Sequence, residues 1–289
     1  MKTLSLLALC LLAAPPPDLA AQADTAYRAK DYLRCAEAYE KMAEGDAKQQ
    51  LTNHWNSASC FSLAKLPDRA FHQLDLALAL GRPEPKELGQ DDDLANLHAD
   101  PRWARLLENA QAKIDAYEKT VAQPKLRKEL LAMKDVDQEA RQAQVKAAFK
   151  DENANKKAEA IDVANTKRMK EIVATKGWPG KSLVGEDGAS AAWLLVQHAD
   201  KDLPFQKLCL AKLEEAKNKG EVEPQNWAYL VDRVAVAEKR PQTFGTQFDN
   251  ELKPRPIEDE AHVDERRKSV GLGTLAQYRE QMRQAYAPK

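Results

Sequence analysis

From Leu126 to Lys176 the chain runs without a proline or a glycine and is crowded with Lys, Glu, Gln and Ala. Nothing there breaks the backbone, and these residue types favour the helix, so the stretch folds as one long helix or two. Apolar residues thin out between Phe149 and Ile161, where KDENANKKAEA stands between two better-patterned pieces, so a break or a solvent-exposed crossing is expected there. In the later piece Ile161, Asn165, Met169 and Ile172 share one face. Asn165 thus interrupts an apolar stripe, and a buried amide needs partners. It either bonds a neighbouring loop or points into a polar pocket.

The start of the chain reads MKTLSLLALCLLAA and reaches Ala21-Gln22-Ala23 before Asp24. A lysine, a short apolar run and an A-x-A site make a secretory signal over residues 1–23, with cleavage after Ala23. Leu9 precedes Cys10 where lipid attachment needs a small residue. No later segment is apolar enough to span a membrane, so the expected location is periplasmic or secreted. A net charge of −1 leaves no footprint for nucleic acid or an anionic membrane surface. With 43% hydrophobic and 31% charged residues, the composition is that of a soluble, mainly helical protein of about two domains. The expected boundaries are 24–115 and 116–289. Cys35, Cys60 and Cys209 remain after cleavage, an odd number, so at most one bridge forms within the chain.

The first of these segments repeats itself. AYRAKDYLRCAEAYEKMAEG returns as HWNSASCFSLAKLPDRAFHQLDLALALG, and one offset pairs Arg34 with Arg69, Cys35 with Ala70, Tyr39 with Leu74 and Met42 with Ala77. A period near 34 residues with small residues at the helix crossing marks helical hairpins. This resembles the tetratricopeptide repeat family, with KDYLRCAEAYEKM as the second helix of one unit and residues 52–64 and 67–80 as the next. DDDLANLHADPRWARLL, within residues 83–110, looks like the capping tail of such repeats in secreted bacterial proteins, with Trp103, Leu106 and Leu107 closing the apolar end. The resemblance implies either a concave surface for a peptide or protein partner or a prop for the second half. It sets Cys35 at a helix crossing and Cys60 on the helix packed there, which makes them a candidate disulfide; two buried free thiols are the alternative. Cys209, on a helical pattern with Leu210 and Leu213, reads as an inert core thiol.

In the second half Gly177-Trp178-Pro179 ends the long helical stretch, and the turn-rich KSLVGEDGAS leads into WLLVQHAD. As a helix that segment is apolar all round, which places His198 inside the domain with at least one hydrogen-bond partner. His198 and Asp200 lie about 200° apart on such a helix, so they form no dyad with each other. Asp202, or Asp200, suits the cap of a helix starting near Pro204. A further helix starts near Pro224, and its Asp232 and Arg233 are bracketed by Tyr229 and Val236 as a partly buried pair or a pocket wall. QTFGTQF alternates, which predicts a short strand or hairpin near residues 241–250; the tail is helical again.

Residues from about 126 to 284 also resemble an uncharacterised bacterial domain-of-unknown-function family. The likeness is carried in order by DQEAR, GWP, SLVGEDG, WLLVQHAD, DRV, PQTFGTQ, PIED and DERR. It implies a shared fold and a pocket around Gln197-His198, Asp232-Arg233 and Gly245-Thr246-Gln247. Phe244 stands where the pattern has tyrosine, and the family carries no reaction to transfer. No metal or cofactor is expected, because the histidines are scattered and HExxH, paired-cysteine, phosphate-loop and serine-elbow patterns are absent. What remains is an acid/base constellation. His198 can shuttle a proton, Asp232 can fix its tautomer, and Arg233 with Gln247 can hold an anionic or amide-bearing substrate, with Gln197, Asp200, Thr246 and Asn165 as further lining. The first expectation is an exported tetratricopeptide-type interaction protein with a helical domain of unknown function. The second is a periplasmic hydrolase or lyase centred on His198, which requires His198, Arg233 and Gln247 to converge on one open cleft.

Overall fold

The structure, a computed structural model, describes residues 19–45, 49–81, 85–147, 149–249 and 251–286. It is mainly helical and divides into two units between Glu118 and Lys119. Most of the expected signal segment, residues 1–18, lies outside the described residues.

Four helices open the first unit: α1 (Leu19–Arg28), α2 (Tyr32–Ala43), α3 (Gln50–Leu63) and α4 (Pro67–Leu80). Each packs on the next. The turns are tight because Lys30 and Lys65 take positive φ, Asp31 accepts a bond from the amide of Arg34, and Pro67 starts α4. Small residues line the crossings, with Ala26, Ala36, Ala58 and Ala70 all buried. Cys35 and Cys60 are joined as a disulfide, their Cα atoms 6.0 Å apart. Beyond α4, α5 (Pro85–Gln90), a 3-10 turn (Asp92–Leu97) and α6 (Pro101–Glu118) add Leu88, Leu94, Leu97, Trp103 and Leu106 to the core that holds Phe61 and Leu74.

The second unit is built on three helices. They are α7 (Pro124–Lys146), α8 (Glu152–Lys176) and α9 (Lys181–Gln197). The break expected in the long stretch falls between α7 and α8, where Phe149 takes positive φ and the Asp151 side chain caps α8. Gly177, at φ +75°, ends α8. KSLVGEDGAS, read as turn-rich, is instead the first part of α9, bent at Gly185 (φ 75°, ψ 171°). α10 (Leu203–Asn218), capped by Asp202, and α11 (Pro224–Ala237) follow. Leu130, Met169, Ile172, Leu195, Val196, Cys209, Leu213 and Leu230 close the core. The unit ends in α12 (Val263–Ser269) and α13 (Leu275–Tyr286). Among the described residues no helix is long and apolar enough to cross a membrane.

The hairpin expected at 241–250 does not form. Among the described residues there is no sheet, only two isolated bridges, Gln242 with Ile257 and Phe248 with Pro254. The alternation in QTFGTQF fails because Phe244, Gly245 and Thr246 are buried in succession. Gly245 has φ +69°, and the amides a partner strand would bond are taken by a side chain from α11, described below.

The disulfide closes a 25-residue separation, which by chain entropy is worth about 3 kcal/mol. Replacing both Cys35 and Cys60 by serine in the full chain is expected to lower the first unit's stability by that order. Denaturant unfolding of wild type with and without reductant should show the same difference.

Candidate functional site

α7 and α9 run in the same direction in a fixed register. The amide of Gln123 donates to the carbonyl of Leu183 at 2.8 Å, Arg127 Nε bonds the Asp187 carboxylate at 2.9 Å, and further along the helices Asp137 meets His198. Gly188 makes the close approach possible. A Cβ there would come within 2.9 Å of Val184 Cβ and 3.3 Å of Arg127 Cγ. Along the inner face of α7, Leu126 and Leu130 are followed by Asp137, Ala140 and Gln144, all buried, so a carboxylate occupies a core position of the stripe.

Asp137 is 1% exposed, and both its oxygens lie 2.9 Å from His198 Nδ1. An ionised carboxylate can only accept, so Nδ1 carries the proton and donates. In the neutral ring Nε2 then holds the lone pair. Gln138 Nε2 adds a second donor to Asp137 at 2.8 Å. Burial works to raise the Asp137 pKa, but the bond from His198, its charge when protonated, Gln138 and Arg141 outweigh it and leave the carboxyl below its ordinary value. His198 caps the end of α9 and its side chain is 18% exposed. The imidazole lines a cleft of about 620 Å³ walled by α7, α8 and the turn after α9, with Arg141, Asn155, Asp162, Thr166 and Lys170 among its neighbours.

One turn beyond Asp137, Arg141 lies 3.8 Å from it and bonds Asp162 of α8. Burial raises the Asp162 pKa against the pull of Arg141. At the rim Lys170 pairs with Asp202 and Lys201 with Glu159. Asp137, Asp162 and His198 present donor atoms within 4.8 Å of one another. One imidazole and two carboxylates suit a divalent cation, though here Arg141 serves as their counter-charge.

The residues singled out in the sequence divide among three places. His198 is in the cleft, with Asp200 on its rim. Asp232 is not its partner: fully buried, it accepts from the amides of Thr243 (2.7 Å), Phe244 (2.9 Å) and Thr246 (2.9 Å) and from the Thr246 hydroxyl (2.9 Å). Burial raises its pKa against those donors. Thr246 and Gln247 therefore belong to a braced loop, in which Gln247 Nε2 donates to Thr246 Oγ1 and the Gln247 amide to Gln242 Oε1. The fully buried Arg267 braces it from the far side, donating to the carbonyls of Phe244 and Gly273. Arg233 lies outside the cleft lining and bonds Gln197 and Asp200. His198, Arg233 and Gln247 thus do not converge on one cleft. Asn165 is buried in α8 with its Nδ2 unpartnered among the described residues, as is Gln197 Nε2. The sequence reading missed Asp137, Arg141 and Asp162. The signal for the first two was present as DQEAR, which sets an acid and an arginine one helical turn apart.

Residues 124–289 match the model of a family of unknown function, DUF6624. The chain belongs to that family. The cleft, the braced loop and α11 all lie within the DUF6624 region, whereas no family match bears on the tetratricopeptide resemblance of the first unit. No curated protein matches the chain, and no solved structure does.

Two stability outcomes follow from the two buried carboxylates. A depressed pKa contributes stability that is present above the unfolded value of 3.8 and lost as pH falls through the folded one. Asp137→Asn is therefore expected to cost about 1–2 kcal/mol at neutral pH, with the gap to wild type closing below pH 3.8 in thermal melts. Asp232→Ala leaves three amides without their acceptor and should cost more, about 3 kcal/mol.

Proposed function

We propose that the DUF6624 domain is an acid/base catalytic domain, a hydrolase or lyase that uses His198 Nε2 to take and return a proton, with Asp137 as its partner in place of the His198, Arg233 and Gln247 set that the sequence called for and that does not converge. The observation that carries this reading is the Asp137–His198 pair, which fixes the tautomer from the buried side and leaves the other ring nitrogen without a hydrogen-bond partner among the described residues, at the edge of a cleft. Asp137 stays ionised and stabilises the imidazolium formed when Nε2 accepts a proton from water or substrate. Arg141, 3.8 Å from Asp137 and bonded to Asp162, balances the two carboxylates and helps to keep Asp137 ionised.

The cleft lining supports a polar substrate without a large charge of one sign. It carries Arg141, Lys167, Lys170 and Lys201 against Glu159, Asp162, Asp200 and Asp202, four bases and four acids. Together with the leader sequence, the reading is of an exported protein that works in the periplasm or outside the cell. The first unit serves as a tetratricopeptide-like platform for a protein or peptide partner. Supporting that role, α2, α3 and α4 pack in succession with small residues such as Ala36, Ala58 and Ala70 at their crossings.

A panel of chromogenic peptides, esters and glycosides incubated with the full chain tests the catalytic reading. The expected result is turnover of at least one class, lowered on the order of 10²-fold or more by His198→Gln when assayed at a temperature at which circular dichroism shows the variant folded. Turnover indifferent to His198→Gln, or none across the panel, would overturn it.

A further inference from the structure

We infer that Arg233 is a positioning residue for His198: its guanidinium grips the residues on both sides of the imidazole and fixes the turn that aims Nε2 into the cleft. The inference rests on the acid/base reading above. It starts from a problem in the local structure, because His198 stands at the end of α9 (φ −89°, ψ 4°), where helical hydrogen bonding is running out. A catalytic ring at such a point needs its backbone held from elsewhere.

The holding groups come from α10 and α11. Arg233 Nε donates to Gln197 Oε1 at 2.9 Å, while Nη1 donates to both oxygens of Asp200 at 2.8 Å. Gln206, 1% exposed, extends its Nε2 beneath the same turn toward the carbonyls of Val196 (3.1 Å) and Gln197 (3.2 Å) and toward Asp200 Oδ1 (3.3 Å). The residue before the histidine and the residue two after it are thus tied to one planar fork. Asp137 holds the ring itself from α7.

The chemistry favours a geometric role over a stabilising one. Asp200 has a side chain 60% exposed and that of Arg233 is 26% exposed, so the ion pair adds little to global stability. A rigid fork that spans two acceptors at set spacing does what a lysine ammonium on a flexible stem cannot. Arg233 is also absent from the cleft wall, which argues that it acts through the turn and not on a substrate.

The test uses the full chain and needs no substrate. Nitrogen–proton correlation NMR of the His198 ring distinguishes the Nδ1–H form held by Asp137 from the Nε2–H form that a free imidazole populates. In wild type the Nδ1–H form is expected to dominate. Arg233→Ala should raise the Nε2–H population severalfold with little change in melting temperature, and Arg233→Lys should restore only part of the wild-type pattern. Asp200→Asn, which weakens one arm of the grip, should fall between wild type and Arg233→Ala, and it stands in if that variant does not fold. A wild-type ring signature in folded Arg233→Ala, or full recovery by lysine, would overturn the inference. These outcomes are separate from the panel above: a ring that shifts in Arg233→Ala while His198→Gln leaves turnover untouched sinks the catalytic reading alone.

Discussion

A carboxylate shut away from water must be met by donors, and in the second unit the obligation created by Asp137 organises everything around it. Its position on the inner stripe of α7 places a charge where an apolar side chain would otherwise pack. Gln138 supplies one donor locally, but the main one comes from the end of α9. To bring His198 there, α9 must lie alongside α7 in one register and must end at residue 197, and α8, which joins the end of α7 to the start of α9, must run back the other way. The cleft is the space left beside that pair once α8 has done so.

α11 plays a comparable part with two consecutive residues. Asp232 turns toward the loop at residues 242–247 and replaces a strand partner with a carboxylate. Arg233, about 100° further round the helix, turns toward the end of α9. The sequence suggested that these two residues share a pocket with the histidine. Their adjacency in fact lets one rigid helix brace two loops at different places.

Much of the architecture was legible because it depends on local rules. The run without proline or glycine, the Asp202 cap, the start at Pro224 and the stop at Gly177 each act within a turn or two of chain. The site was legible only in part. That His198 needs a partner follows from an apolar helix, but that the partner is Asp137, 61 residues away, depends on how two helices align in space, and no periodicity encodes that. The hairpin was misread for a related reason. The alternation of QTFGTQF was real, yet it arose from a loop whose amides converge on a distant carboxylate. Asn165 is buried, as its place in the apolar stripe suggested, and no described residue supplies a partner for its Nδ2.

The parallel alignment of α7 and α9 carries one more implication. Arg127 with Asp187 and Asp137 with His198 latch the helices at two points about ten residues, or roughly 15 Å, apart, and at the first of them Gly188 lets α9 lie close against Arg127. Two latches on one seam set the register of α9 on α7. α8 is fastened to the same α7 by Arg168 with Glu129 and by Arg141 with Asp162, so every wall of the cleft takes its position from one helix.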